Sequence, residues 1–218
     1  KTVNGKKPVF FGLDAKNDFY AKNIKNSGDG KVLATLCFDN NNIDVEIPAI
    51  GTYMVTNALA AAAAGKLLGL TDEEIANGVA SYKTVGSRAN VINTGKIKII
   101  DDCYNANPTS VRASLDTLSN LDGRKVAILG DMKELGSEKL KLHFDTGVYA
   151  KSKDIGTVIT VGELAKELAK GADGKAFDTI EDAKPEILKT IKSGDVVLVK
   201  ASHSMQFENI VEFLKQNF

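Results

Sequence analysis

The sequence predicts an α/β protein in two parts: antiparallel strands plus helices over residues 1–86, then a mostly parallel sheet wrapped by helices over 87–218. Three observations carry this. Residues 1–50 read as alternating-pattern strands joined by short polar turns. Two helical stretches follow, the first rich in alanine. From residue 91, short apolar runs alternate with amphipathic stretches of helical period, which is the pattern of a parallel sheet covered on both faces.

The elements follow in order. "KVLATLCF" (31–38) places Val32, Ala34, Leu36 and Phe38 on one face, and "NIDVEI" (42–47) alternates Ile43, Val45 and Ile47 against Asp44 and Glu46. Asp39 to Asn42 make a turn between them, and "SGDG" (27–30) makes one before them. The expectation is a small antiparallel meander with one wet face. Helices are expected over about 54–68 and 72–81, the second opened by Thr71 with Glu74 three residues on, a capping box. "KTVGSRAN" (83–90) has no periodicity and marks a boundary. Beyond it the strands are "VIN", "KIKII" (96–100), "KVAILG" (125–130), "TVITVG" (157–162), a weak "KAFD" (175–178) and "DVVLVK" (195–200). Helices are expected over about 108–120, 137–153, 163–170, 181–192 and 205–217.

Composition narrows the function classes. Among 218 residues, Lys+Arg and Asp+Glu both total 28, which argues against a nucleic-acid or membrane-surface binder. The longest apolar stretch, "NALAAAAAGKLLGL", is interrupted by Lys66 and falls short of a membrane span. No apolar segment follows the basic Lys1–Lys7, so no secretory signal is expected. Cys37 and Cys103 lie far apart and form no metal pattern; both read as reduced thiols of a cytoplasmic protein. The chain opens on Lys1 in mid-pattern, as a fragment of something longer would.

In an open α/β sheet, ligands bind beyond the carboxyl ends of the strands. After "KIKII" come Asp101, Asp102, Cys103, Tyr104, Asn105 and Asn107; after "KVAILG" come Asp131, Met132, Lys133 and Glu134; after "DVVLV" come Lys200, Ser202 and His203. Any one of these also reads as a turn or cap residue, and Asn107 before Pro108 is an N-cap with proline at the first helical position. Asp102 stands apart. A second carboxylate beside Asp101 adds repulsion with no capping gain, and suits a ribose hydroxyl or a metal-bound phosphate. Asn57, inside an alanine-rich helix, reads either as a surface residue or as an amide that meets a base edge. Arg88 is an exposed loop arginine or a phosphate clamp. His143, among Leu140, Leu142 and Phe144, reads as structural. None of the Gly-Lys pairs is followed by Ser or Thr, so no phosphate loop is present, nor is G-x-G-x-x-G, H-E-x-x-H or a nucleophile elbow.

"IIDDCYNANPTSVRASLDTL", "GRKVAILGDMKELG" with His143 downstream, "DVVLVKAS" and "NALAAAAAGKLLGL" together resemble the Mur ligase family. Within it the residues are most similar to the type that joins D-alanyl-D-alanine to UDP-N-acetylmuramoyl-tripeptide in peptidoglycan precursor synthesis. The resemblance implies that residues 1–86 are the C-terminal part of the central ATP-binding domain and that 87–218 form the Rossmann-like C-terminal domain. It implies ATP as co-substrate, with Mg²⁺ held by residues upstream of this chain. It also implies an acyl phosphate formed on the tripeptide carboxylate and attacked by the amine of D-alanyl-D-alanine. Carried over by position, Asn57, Arg88, Asp102 and Tyr104 would meet ATP, and Asn105, Asn107, Asp131, Lys200 and Ser202 would line the substrate side. No catalytic residue is assigned. Tyr53 stands where many members have His, and His203 where Arg is usual, which weakens any contact from that position to a substrate carboxylate. Partners expected are the two small-molecule substrates, without nucleic acid, for a monomeric chain that is inactive alone. The alternatives are another ligase of the Mur or folylpolyglutamate type and a non-catalytic Rossmann-like binding module; "GDMKELG" speaks against the folylpolyglutamate type.

Overall fold

The computed structural model describes residues 2, 5, 7–27, 30–84 and 86–218. It divides into two compact units, Lys1–Lys83 and Thr84–Phe218. Among the described residues, no helix is long and apolar enough to cross a membrane.

The first unit holds a three-stranded antiparallel sheet in the order β1 (Tyr20–Asn26), β2 (Val32–Phe38), β3 (Asn41–Ile47). Two residues, Asp39 and Asn40, join β2 to β3, both with positive φ (48° and 63°). That is the two-residue hairpin whose twist matches the strands, and Asp and Asn tolerate the left-handed region better than most residues. The turn expected at 27–30 includes Gly28 and Asp29, which lie outside the described residues. The expected core face is found: Val32, Ala34, Leu36 and Phe38 are buried with Val45 and Ile47. The expectation of a wet opposite face fails on the central strand. Thr35 is 7% exposed and Cys37 2%. A polar ladder closes over Thr35, with Asn23 Nδ2 donating to its Oγ at 3.2 Å and that hydroxyl donating to Asp44 at 2.6 Å. A strand flanked on both sides can bury a hydroxyl once its hydrogen bonds are met.

α1 (Met54–Leu67) and α2 (Asp72–Ala80) pack against this sheet through Val55, Leu59, Ala62, Ile75 and Val79. The capping box is present: Thr71 Oγ1 accepts from Glu74 N–H, and the Glu74 carboxylate accepts from Thr71 N–H at 2.8 Å.

The second unit holds a six-stranded sheet in the order β4 (Asn90–Asn93), β5 (Lys98–Asp101), β9 (Val196–Lys200), β6 (Lys125–Gly130), β7 (Thr157–Val161), β8 (Lys175–Phe177). All neighbours are parallel except β4, which runs antiparallel to β5. The connection forces this: four residues cannot make the crossover that a parallel pair needs. Lys96 and Ile97, expected in a strand, belong to that turn, where Thr94 N–H and Ile97 O meet at 3.1 Å.

The helices are α3 (Pro108–Ser119), α4 (Lys139–Ser152), α5 (Ala165–Ala172), α6 (Ile180–Thr190) and α7 (Glu208–Asn217). Three start later than the sequence pattern predicts, α4 after a 3₁₀ turn at Gly136–Glu138. Gln206 adopts a left-handed conformation (φ 53°) that separates a short 3₁₀ turn at His203–Met205 from α7. α5 begins where Asp131 Oδ1 accepts from Ala165 N–H at 2.8 Å. Side chains of α6 and α7 join Ile99, Ile128, Ile159, Val197 and Val199 in one core, while α3, α4 and α5 pack together and meet the sheet from the other face. α4 and α5 approach closely because Gly147 and Gly171 carry no side chain: a Cβ on either would overlap a backbone carbonyl, of Leu168 and Phe144 respectively. At the amino edge of the sheet, Arg124 grips Asp195 with two hydrogen bonds (2.8 and 2.6 Å), tying β6 to β9.

Candidate functional site

β5 and β9 are neighbours, but the helices that follow them leave to opposite faces, α3 to one and α7 to the other. Their carboxyl ends therefore flank a topological switch point, the place where open α/β sheets hold ligands. The loops after β5, β9 and β6 bring most of the sequence-predicted residues to this edge.

Adjacent aspartates coexist here because they do different work. Asp101 Oδ1 accepts from Cys103 N–H at 3.3 Å and stiffens the turn. Asp102 faces inward. Its Oδ2 accepts from Lys200 Nζ at 2.6 Å and from Ser114 Oγ at 2.7 Å, and its Oδ1 accepts from Ala89 N–H at 3.1 Å. The repulsion anticipated between the two acids is offset by Lys200, whose ammonium also donates to Asn105 O at 2.9 Å. Asp102 is only 8% exposed and Lys200 3%, so the pair is a buried bridge between the ends of β5 and β9. The carboxylate expected to point at a ligand is thus committed to the chain itself. Ser114, which completes its coordination, was not singled out from sequence; a hydroxyl on the buried side of a helix, one turn after the capping Ser110, is the only signal it leaves.

Cys103 is buried, and its thiol donates to Val199 O at 3.4 Å. Burial first, and then the Asp101 charge, push its pKa far above the ordinary thiol value, so it is an inert packing residue. Asn107 caps α3: its side chain accepts from Ser110 N–H at 2.9 Å, and Ser110 Oγ accepts from Asn107 N–H at 3.1 Å. Asn105 stays exposed, with its carbonyl held by Lys200.

The loop after β6 is braced from two sides. His143 on α4 is fully buried; Nε2 accepts from Met132 N–H at 2.9 Å and Nδ1 lies 2.6 Å from Lys139 O, so the ring is neutral with its proton on Nδ1. Burial lowers its pKa, against a smaller upward pull from the Lys139 carbonyl. The structural role expected of this histidine is what the geometry shows. On the other side, Ser202 Oγ accepts from Lys133 N–H at 2.9 Å and Ser202 N–H donates to Asp131 O at 3.1 Å. Asp131 is buried between Lys133 Nζ at 2.7 Å and the first turn of α5, beneath Gly162, where a Cβ would collide with its carboxylate. It serves as the anchor of α5.

What remains open to solvent is a small set. Tyr104 is 47% exposed. The Arg88 guanidinium lies over its ring, 3.6 Å from the centroid, and the His203 ring stands 6.0 Å away on an incline of 35°. Arg88 makes no ion pair among the described residues. A planar cation with free N–H groups on an aromatic platform, set above a switch point, suits the phosphate and ribose of a nucleotide. Asn57 lies in the first unit, exposed on α1, where it donates to Met54 Sδ at 3.4 Å at the rim of an apolar groove between α1 and α2. Among the described residues, no three His, Cys, Asp or Glu side chains gather as a metal site.

Known proteins share this architecture. Residues 87–203 match the Mur ligase glutamate ligase domain and residues 1–65 the Mur ligase middle domain. The chain is 34% identical over 215 residues to the UDP-N-acetylmuramoyl-tripeptide–D-alanyl-D-alanine ligase of Bacillus subtilis, covering 94% of this chain and 46% of that protein. Against the Escherichia coli ligase of the same name the identity is 33%, over 93% of this chain and 46% of that one. The chain thus spans about half the length of the curated relatives it matches. Among solved structures, MurF from Acinetobacter baumannii superposes with a TM-score of 0.88 at 30% identity, over 94% of this chain and 46% of that one. MurF ligase from Thermotoga maritima in complex with ADP gives 0.86 at 26% identity, over 98% of this chain and 49% of that one. With a family model matched over more than half of its residues, and the switch-point loops built on the motifs that carried the resemblance, this chain belongs to the Mur ligase family.

Proposed function

We propose that the protein containing this chain is an ATP-dependent ligase that joins D-alanyl-D-alanine to UDP-N-acetylmuramoyl-tripeptide in the cytoplasm. The observation that carries the reading is the exposed Arg88–Tyr104 platform at the β5/β9 switch point, in a chain a third identical to ligases of that name. ATP supplies the phosphoryl group that turns the tripeptide carboxylate into an acyl phosphate; the amine of D-alanyl-D-alanine then forms the amide and phosphate departs. The residues of this chain contribute position and charge. Arg88 meets the nucleotide phosphates from its seat on the Tyr104 ring, and Asn105 and His203 border the crevice. Asp102 and Lys200 hold the two loops at a fixed separation, and Asp131, Ser202 and Asn107 fix the loops and helices around them. Asn57 remains a proposed adenine contact from the first unit, and Mg²⁺ is assigned to residues outside this chain. The two buried cysteines without a disulfide fit a reducing compartment.

The test is turnover by the full-length protein. Phosphate release should require both D-alanyl-D-alanine and the UDP-linked tripeptide. Release that depends instead on glutamate and a folate would move the protein to the folylpolyglutamate class, and nucleotide binding without turnover would favour a binding module. The 218-residue chain alone lacks the phosphate-loop motif and should hydrolyse no ATP.

A further inference from the structure

We infer that Tyr104 is a positioning residue for Arg88, and that the loop after β5 clamps the segment 87–89 so that this arginine is aimed before any ligand arrives. The inference deepens the proposed nucleotide reading of the switch point and rests on it for the identity of the ligand.

Three contacts make the clamp, and they flank and include Arg88. Tyr104 N–H donates to Ser87 O at 2.9 Å. Ala89 N–H donates to Asp102 Oδ1 at 3.1 Å. Between them the Arg88 guanidinium rests on the Tyr104 ring, 3.6 Å from its centroid. Ala89 carries φ 53°, a left-handed conformation that a residue with a Cβ avoids. Such a backbone persists only where its surroundings over-determine it, and here the buried Asp102–Lys200 pair supplies the fixed acceptor. The Tyr104 ring is itself bordered by His203. An exposed arginine on a loop would ordinarily sample many rotamers and lose that freedom on binding an anion. Stacking it beforehand removes most of that loss.

The test uses the full-length protein with Tyr104→Leu, Tyr104→Phe, Arg88→Ala and the double variant Arg88→Ala/Tyr104→Leu. Loss of an exposed-to-partly-desolvated cation–π contact should raise KM for ATP about 3- to 30-fold in Tyr104→Leu, with kcat changed less. Tyr104→Phe keeps the ring and should restore KM to within about twofold. In the Arg88→Ala background, Tyr104→Leu should add nothing further. A Phe variant as impaired as the Leu variant would mean that the hydroxyl touches the ligand directly. An undiminished Tyr104 effect without Arg88 would mean that the ring acts by itself; either result overturns the inference. A second arm needs no activity. Trypsin cleaves after arginine, and the clamp should shield the Arg88–Ala89 bond; Tyr104→Leu should speed cleavage there by about the same factor. An unchanged cleavage rate overturns the clamp. If the wild-type protein turns over no ATP at all, the functional reading fails while the trypsin result still decides the clamp.

Discussion

The two units use the same kinds of element and finish them differently. The second unit covers both faces of its sheet and pins both ends of its strands with ion pairs, half-exposed Arg124 on buried Asp195 at one end and the buried Asp102–Lys200 pair at the other. The first unit lays two helices against a three-stranded sheet and leaves much apolar surface uncovered. Ten of the sixteen large apolar side chains exposed among the described residues lie in it, including Phe10, Phe11, Leu67 and Leu68, although it is the shorter unit. α1 carries apolar residues on its open side as well, Ala61, Ala64 and Leu67, beside the single exposed amide of Asn57. The difference teaches where local physics suffices. The second unit accounts for its own sequence, whereas the apolar faces of the first are not explained by contacts within that unit.

Ion pairs give the largest test of this contrast. Removing Lys200 leaves a buried carboxylate uncompensated, so Lys200→Met should lower unfolding free energy by about 3–5 kcal/mol in denaturant titrations. Adding Asp102→Asn should recover part of that loss. The corresponding pair of the first unit, Lys66–Asp72, is about a third exposed on each side chain. Lys66→Met should cost about 1 kcal/mol or less. Equal losses at the two sites would erase the distinction between a pinned and an unpinned unit.

Close packing gives the next. Gly147→Ala forces a Cβ onto the Leu168 carbonyl, and since neither helix backbone can yield cheaply, a loss of about 3 kcal/mol is expected from overpacking. Gly78 in α2 faces open space. Gly78→Ala should stabilise by about 0.5–1 kcal/mol through helix propensity alone. The same substitution should therefore have opposite signs in the two units, which differential scanning calorimetry would show directly.

A smaller effect is specific to the second unit. Burial holds the His143 pKa below its ordinary value, so the folded protein binds fewer protons there than the unfolded chain. The stability this histidine contributes is complete above about pH 6.5 and is lost as pH falls below it, by at most about 1.4 kcal/mol per pH unit. His143→Gln, which still accepts from Met132 N–H and does not titrate, should flatten that slope relative to wild type. An identical slope in both proteins would show that His143 carries none of it.

The sequence by itself determined whatever depends on neighbours a few residues apart. The capping box at Thr71–Glu74, the Asn107 cap ahead of Pro108, the turn that follows β2 and the strand–helix alternation beyond residue 91 rest on hydrogen bonds and periodicities that a short window contains. The order of motifs also fixed the family. Tertiary structure alone decided the insertion of β9 between β5 and β6 and the orientation of Asp102. Asp102 read as a group aimed at a ligand because its partners were invisible. Lys200 is 98 positions away, and Ala89 meets it across a backbone turn that no propensity foretells. A buried charge is settled by the counter-charge that the fold delivers to it, and the strand order that delivers Lys200 is a property of the whole sheet.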